Sequence, residues 1–316
     1  MKIIFAGTPD FAAKHLEIVL QSKHEVLSVL TQPDRKSGRG KKINFSPVKQ
    51  TALDNDISVY QPESLRGDKV LNNLKNIAPD LILVVAYGLL VPKNILELPK
   101  HGCVNIHASL LPRWRGASPM EHAIMSGDKI IGISYMEMSE GLDEGPIYEM
   151  HECSLEEYDT LLAVEEKFIQ LSEKYLVSFL DNLESGSIKH NAQDENKATF
   201  SPKIDKKFLQ IDWQGDTSIE IIRKINALGS KYGTYSFLGG RRVKIHKARR
   251  IESEINHDPG YISAKDDKLV VFCKGASSIL IEQIQMEGKN KVSGKDFIAG
   301  YLDLIKENEN FELSIQ

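Results

Sequence analysis

Cysteine is scarce in this chain: Cys103, Cys153 and Cys273 are widely spaced, odd in number and in no CxxC pair. Such a set builds neither a disulfide framework nor a thiolate zinc site, and a reducing compartment is expected. Long apolar runs are also lacking. The longest, residues 81–91, is interrupted by Tyr87 and Gly88 and is too short to span a bilayer. The opening MKIIFAGTPDF reaches glycine, proline and aspartate too early for a signal peptide, so a cytoplasmic protein without a membrane segment is expected. No charge of one sign dominates either: 40 Lys and Arg against 44 Asp and Glu give a net charge of -4, which excludes bulk attraction to nucleic acid and leaves only local binding. What the chain does have is 316 residues with 41% hydrophobic and 27% charged side chains, a composition that supports packed cores in about two domains.

Residues 2–6 (KIIFA) form an apolar run that ends at Gly7-Thr8-Pro9-Asp10 before a helical stretch, the pattern of a buried strand feeding a helix. Similar runs recur at residues 25–31, 57–60, 80–86 and 103–107, separated by stretches compatible with helices. Strands that are nearly all apolar and alternate with helices predict an α/β domain with a doubly wound, mostly parallel sheet, its site at the strands' carboxyl ends. Residues 130–138 read as a further strand. Leu161, Val164, Phe168, Leu171, Tyr175, Phe179 and Leu183 recur at helical spacing and predict one long amphipathic helix.

A polar, aperiodic stretch follows, and the expected division is a first domain over 1–188, a linker over 189–207 and a second domain over 208–316. In the second domain a helix is expected at 218–228 and short strands at 234–238, 243–246, 260–262, 269–273 and 278–284, which predict a small antiparallel barrel. Charge shifts at the same place. Residues 151–200 hold 4 Lys and Arg against 11 Asp and Glu, whereas residues 201–250 hold 12 against 4, so a basic block opens the second domain.

The densest chemistry lies in NIHASLLPRWRGASP, residues 105–119. Asn105 and His107 are two apart on an expected strand, so their side chains share a face. An amide N–H aimed at a carbonyl oxygen stabilises a developing oxyanion, and an imidazole adds proton transfer; the plainer alternative is a strand-end pair that caps backbone. Asp143, in the glycine-flanked turn GLDEGP, follows a strand where it can orient His107 or accept a proton, or can simply serve an Asx turn.

SLLPRWRGASP, with NIH before it and GLDEG after it, resembles the signature of the folate-dependent formyltransferases. FAGTPDFAA, TQPDRKSGRGKK at 31–42, SPVK at 46–49, VVAYG at 84–88 and VKIHKA at 243–248 extend the likeness over almost the whole chain. The resemblance implies a Rossmann-like catalytic domain followed by an OB-like barrel, with Asn105, His107 and Asp143 passing the formyl group of 10-formyltetrahydrofolate to an amine. It implies folate contacts from Val84, Val85, Ala86, Tyr87 and Gly88, from Ser109, Leu110, Leu111 and Pro112, and from Ser139 and Glu140. Where family members commonly begin the last turn with an aspartate, this chain has Ser139. The branch of the family that acts on initiator methionyl-tRNA carries a basic insertion like Arg35, Lys36, Arg39, Lys41 and Lys42. By the same resemblance the second domain would hold the tRNA backbone through Arg241, Arg242, Lys244 and Lys247, with Arg249 and Arg250 beside them. A monomer with no metal is expected. The stretch at 226–233 and the GLDEGP turn depart from the family's usual sequences.

Other functions fit less well. A nicotinamide dehydrogenase needs GxGxxG where this chain has Gly7-Thr8-Pro9-Asp10-Phe11, and a serine hydrolase using Ser109 needs a GxSxG elbow that Ala108-Ser109-Leu110 does not supply. His101, Cys103 and His107 share a strand face, but no carboxylate converges on them as a metal site requires. Formyl transfer to a small amine, 10-formyltetrahydrofolate hydrolysis and an RNA-binding protein without activity are the remaining alternatives. The basic loop favours tRNA over the first, and the intact trio argues against the last.

Overall fold

Ile3, Ile4 and Phe5 are each 0% exposed, so the first strand, β1 (Lys2–Gly7), has no solvent face and lies in a sheet covered on both sides. With it stand β2 (Glu25–Leu30), β3 (Ser58–Tyr60), β4 (Leu81–Val85), β5 (Cys103–His107), β6 (Ile130–Glu137) and β7 (Ile147–Ser154), in the order β7-β6-β5-β4-β1-β2-β3. β1 pairs in parallel with β2 and with β4, β2 with β3, and β4 with β5, while β6 runs antiparallel to β5. The chain winds outward from β1 first to one side and then to the other, so a crevice opens at the carboxyl ends of β1 and β4, where strand order reverses.

The computed structural model describes residues 1–37, 42–252 and 257–312. They form two units, one of Met1–Pro119, Ile130–Cys153 and Glu165–Ser201, the other of Met120–Lys129, Ser154–Val164 and Pro202–Gln316. The expected long helix spans Leu161–Ser185 and buries Phe168, Leu176, Phe179, Leu180 and Leu183. Strand β7 was not expected. Its sequence IYEMHECS sets a polar or charged residue beside nearly every apolar one, as suits an outermost strand.

In the second unit the helix Ser218–Leu228 begins where Glu220 accepts from both the backbone N–H and the hydroxyl of Thr217, at 2.8 and 2.7 Å. A six-stranded sheet follows: β8 (Thr234–Leu238), β9 (Arg241–Ile251), β10 (Ile262–Lys265), β11 (Lys268–Cys273) and β12 (Ser277–Met286), ordered β8-β9-β12-β11-β10 and antiparallel throughout, with the short strand Val292–Ser293 antiparallel to β12. Gly239 and Gly240, at φ +54° and +69°, make the two-residue hairpin between β8 and β9 that side chains would strain. Two expectations differ from the structure here. The strand expected at 260–262 begins only at Ile262, because Gly260 at φ +95° turns the chain first, and the helix Gly294–Asn308 was not expected.

Residues 309–312 run along both edges of this sheet. Phe237 on β8 exchanges two backbone hydrogen bonds with Glu312, Phe311 donates to Gly260, and Ile262 on β10 donates to the Glu309 carbonyl, so the outer strands are joined through one seam and the sheet closes. Trp213 lies inside, its indole N–H on Ser236 Oγ at 2.9 Å, with Ile221, Ile225, Val243, Ile245, Val271 and Phe297 around it. Among the described residues no helix is long and apolar enough to cross a membrane.

Candidate active site

β5 ends the parallel part of the first sheet, and its register sets Asn105 beside Val84 of β4 and Met136 of β6. Asn105 and His107 share one face, as the alternation requires, with Ile106 buried on the other. The half-buried Asn105 amide forms no hydrogen bond among the described residues, which leaves its two N–H donors unengaged.

His107 is 5% exposed and held by one contact: Nε2 lies 3.0 Å from the Trp114 carbonyl, which can only accept, so Nε2 carries the proton. The other ring nitrogen, Nδ1, is 3.7 Å from Asp143 Oδ2, beyond hydrogen-bond length. That Asp143 oxygen accepts from the backbone N–H of Gly116 at 2.8 Å. The ring is therefore oriented by the backbone of the Arg-Trp-Arg-Gly loop, and the carboxylate of Asp143 stands over its free nitrogen.

The same loop is fastened from several sides. Ser134 Oγ on β6 donates to the Ser109 carbonyl at 2.7 Å and accepts from the Leu111 N–H at 3.0 Å, and the peptide bond between Leu111 and Pro112 is cis. Ser109 Oγ donates to the Arg113 carbonyl. Arg115 and Gly116 pair in parallel with Phe200 and Ser201, and the Ser201 hydroxyl lies 3.0 Å from the Trp114 carbonyl and 3.2 Å from that of Arg115. Residues 191–201, polar and aperiodic in sequence, are thus built into this unit.

Of the residues expected to hold folate, Val84 and Val85 close β4 and are buried, while Ala86 (φ +46°) and Gly88 (φ +81°) turn outward around Tyr87. This turn is fixed through its carbonyls: that of Tyr87 accepts from Thr8 Oγ1 and Gln32 Nε2, and that of Gly88 from Gln32 Nε2. Burial pushes the Tyr87 phenol pKa well up. Leu111 packs with Met136 and Ile147. Glu140 is exposed and 3.5 Å from Lys93, whereas Ser139 Oγ is buried and has no partner among the described residues. Cys103 behind the site is core: burial raises its thiol pKa to about 12.

Of the basic loop, Arg39 and Lys41 lie outside the described residues. Lys36 and Lys42 belong to a small antiparallel ribbon, Arg35–Ser37 with Lys42–Asn44, and Arg35 donates to Gln32 Oε1 at 3.0 Å. The loop's one acid is engaged within the protein. Asp34 accepts from Lys49 at 2.5 Å and from Gln61 at 2.8 Å, and the Lys49 ammonium holds its carboxyl below the usual range.

In the second unit, Val243 and Ile245 of β9 point inward while Arg242 and Lys244 point outward, with Arg242 over the Tyr235 ring at 4.2 Å. The ladder to β12 is irregular between Ile245 and Ala248, which lets Lys247 and Arg249 also stay outside. Those two share Glu282, at 3.2 and 3.3 Å, and Arg250 pairs with Glu157. Arg241, Arg242 and Lys244 form no ion pair among the described residues.

A doubly wound sheet with an amide, an imidazole and a carboxylate at its carboxyl edge, followed by a closed antiparallel sheet, has counterparts among known proteins. Residues 1–180 match the formyl transferase family and residues 203–302 the formyl transferase C-terminal domain; the chain belongs to the formyl transferase family, enzymes that move a one-carbon unit. It is 38% identical over 308 residues to the methionyl-tRNA formyltransferase of Pseudoalteromonas translucida (strain TAC 125), covering 96% of this chain and 95% of that one. It is 40% identical over 303 residues to that of Coxiella burnetii (strain RSA 493 / Nine Mile phase I), covering 96% of each. Two solved structures share the fold at low identity. WlaRD, a sugar 3N-formyl transferase, matches with TM-score 0.67 at 19% identity over 92% of this chain and 99% of its own. HypX from Aquifex aeolicus, in complex with tetrahydrofolic acid, matches with TM-score 0.65 at 17% identity over 96% of this chain and 47% of its own.

Proposed function

We infer that the chain transfers the formyl group of 10-formyltetrahydrofolate to the α-amino group of methionine on initiator methionyl-tRNA, the step that prepares this tRNA for translation initiation. The observation that carries this is end-to-end likeness, at 38% and 40% identity, to methionyl-tRNA formyltransferases of nearly the same length.

The site's geometry supports a direct transfer. A neutral amine attacks the formyl carbon, an anionic tetrahedral centre forms, and N10 of the folate leaves as an amine. Asn105, with its amide unengaged, donates to the oxyanion. His107 shares that donation and helps protonate the leaving nitrogen once its Nε2–H leaves the Trp114 carbonyl for the substrate, and Asp143 receives the proton of the attacking amine. The folate lies along residues 84–88, 109–112 and 139–140; the buried, unpartnered Ser139 hydroxyl fits a ligand that hydrogen-bonds there.

In this division of labour residues 1–188 carry the chemistry and residues 208–316 hold the tRNA. Arg241, Arg242 and Lys244 supply free cations, Arg242 over an aromatic ring, Lys247 contributes a charge shared with Glu282, and Arg35, Lys36, Arg39, Lys41 and Lys42 serve the acceptor end. The protein works as a cytoplasmic monomer.

The test is transfer of labelled formyl from 10-formyltetrahydrofolate to initiator and to elongator methionyl-tRNA, with an Arg39→Ala variant alongside. Selective formylation of the initiator, weakened by Arg39→Ala, is expected. Folate turnover with no tRNA product would instead move the acceptor to a small amine or to water.

A further inference from the structure

Gln193 lies in the stretch whose composition suggested a linker, yet every hydrogen-bonding site of its side chain is used. Its Oε1 accepts from Arg115 Nε at 3.0 Å and Nη2 at 2.9 Å, and its Nε2 donates to the carbonyls of Asp143 at 2.8 Å and Gly145 at 2.7 Å. Because guanidinium can only donate and carbonyls can only accept, the amide has one orientation and cannot flip. Arg115 is 2% exposed and is pinned in turn by a bidentate pair with Glu195, at 2.9 and 2.7 Å.

These contacts close a ring. Arg115 holds Gln193, Gln193 holds the backbone of Asp143, and the Asp143 carboxylate returns to the N–H of Gly116, the residue next to Arg115. Asp143 needs such a hold: its φ is +51°, a left-handed conformation that costs a non-glycine residue free energy unless its surroundings enforce it. The other end of the ring adjoins Trp114, whose carbonyl orients His107. One amide side chain thus links the two strands of chain that carry His107's support and Asp143.

We propose that Gln193 is a positioning residue for formyl transfer, its amide holding the Asp143 turn in register with His107 through Arg115. This rests on the assignment of Asp143 to the reaction. Displacement of a reacting group by about 1 Å costs on the order of 10²-fold in rate, which sets the scale of the effect.

Three variants test it: Gln193→Ala, Gln193→Glu and Asp143→Ala, each assayed for kcat, for KM with 10-formyltetrahydrofolate and with methionyl-tRNA, for the pH profile of kcat, and for Tm. Gln193→Glu is the informative change, because its carboxylate keeps a partner for Arg115 while losing both donors to the 143–145 carbonyls. Both Gln193 variants are expected to lose roughly 10- to 100-fold in kcat with KM values near wild type, a changed pH profile and a Tm close to that of the parent. Wild-type kcat and pH profile in Gln193→Glu, with Asp143→Ala inactive, would overturn the positioning role. So would a parallel loss of kcat, KM and Tm, which marks a purely structural contact. Wild-type activity in Asp143→Ala would overturn the underlying assignment instead.

Discussion

The backbone N–H of Gly116 donates to the Asp143 carboxylate at 2.8 Å, and Gly116 does so from φ +124° with the Ser201 carbonyl 2.7 Å from where a Cβ would stand. No side chain fits there without displacing backbone. Gly116→Ala is expected to cost about 1–3 kcal/mol in stability and to lower kcat by releasing Asp143. Urea unfolding and formyl transfer on the same preparation check it; an active variant of unchanged stability would show that the loop relaxes freely.

Asn105, His107 and Asp143 are expected to matter to rate more than to folding. Asn105→Ala should lose about 10²–10³-fold in kcat, as removal of an oxyanion donor does, and His107→Ala about 10²–10⁴-fold. Circular dichroism and single-turnover formyl transfer decide the matter. Retained turnover in a folded His107→Ala would remove the imidazole from the mechanism.

Much of this site is visible in the residues alone, and the reason is physical. Strands β1 and β4 are covered on both faces and read as apolar runs, and in β5 Asn105 and His107 stand out as polar groups two apart. Glycines on either side of Asp143 mark its turn. What orients His107 leaves no such trace, because the partner is the carbonyl of Trp114 and any residue has a carbonyl. Gln193 is hidden for a related reason: its partners are 48 to 78 residues away, and a polar residue in an aperiodic stretch looks like linker until those partners are located. Strand β7 is not legible in the sequence because its outermost place lets charged residues interrupt the apolar pattern.

His15 ties acid stability to the first unit. It is fully buried, with Nδ1 on the Phe11 carbonyl at 2.7 Å and Nε2 on Ser172 Oγ at 2.8 Å, and burial lowers its pKa to about 4 against an ordinary 6.5. The unfolded chain therefore binds a proton that the folded one refuses between those values. Stability is complete above pH 6.5 and falls as pH drops toward 4. Between pH 6.5 and 5 the loss is about 2 kcal/mol. His15→Asn should remove that part of the slope in urea midpoints taken at both pH values; an unchanged slope would place the acid sensitivity elsewhere.

On β9, charge should report itself through salt. Arg241→Ala and Lys244→Ala are each expected to raise KM for methionyl-tRNA and to reduce the slope of log affinity against log salt by about 1, with kcat retained. Lys247→Ala and Arg249→Ala should do less, because Glu282 already offsets those charges. Binding titrations at several salt concentrations separate the two pairs, and equal effects from all four would contradict the partition.

The seam at residues 309–312 also decides how this molecule meets its own copies. Without it, Phe237 on β8 and Ile262 on β10 would lose their backbone partners, and unpaired N–H and C=O groups at a sheet edge are the template on which another chain adds a strand. A cut after residue 308 would leave every residue of the proposed chemistry in place and still turn a closed sheet into a two-ended one prone to edge-to-edge aggregation. Protection from that fate is supplied by a few backbone hydrogen bonds made by residues that take no part in the reaction.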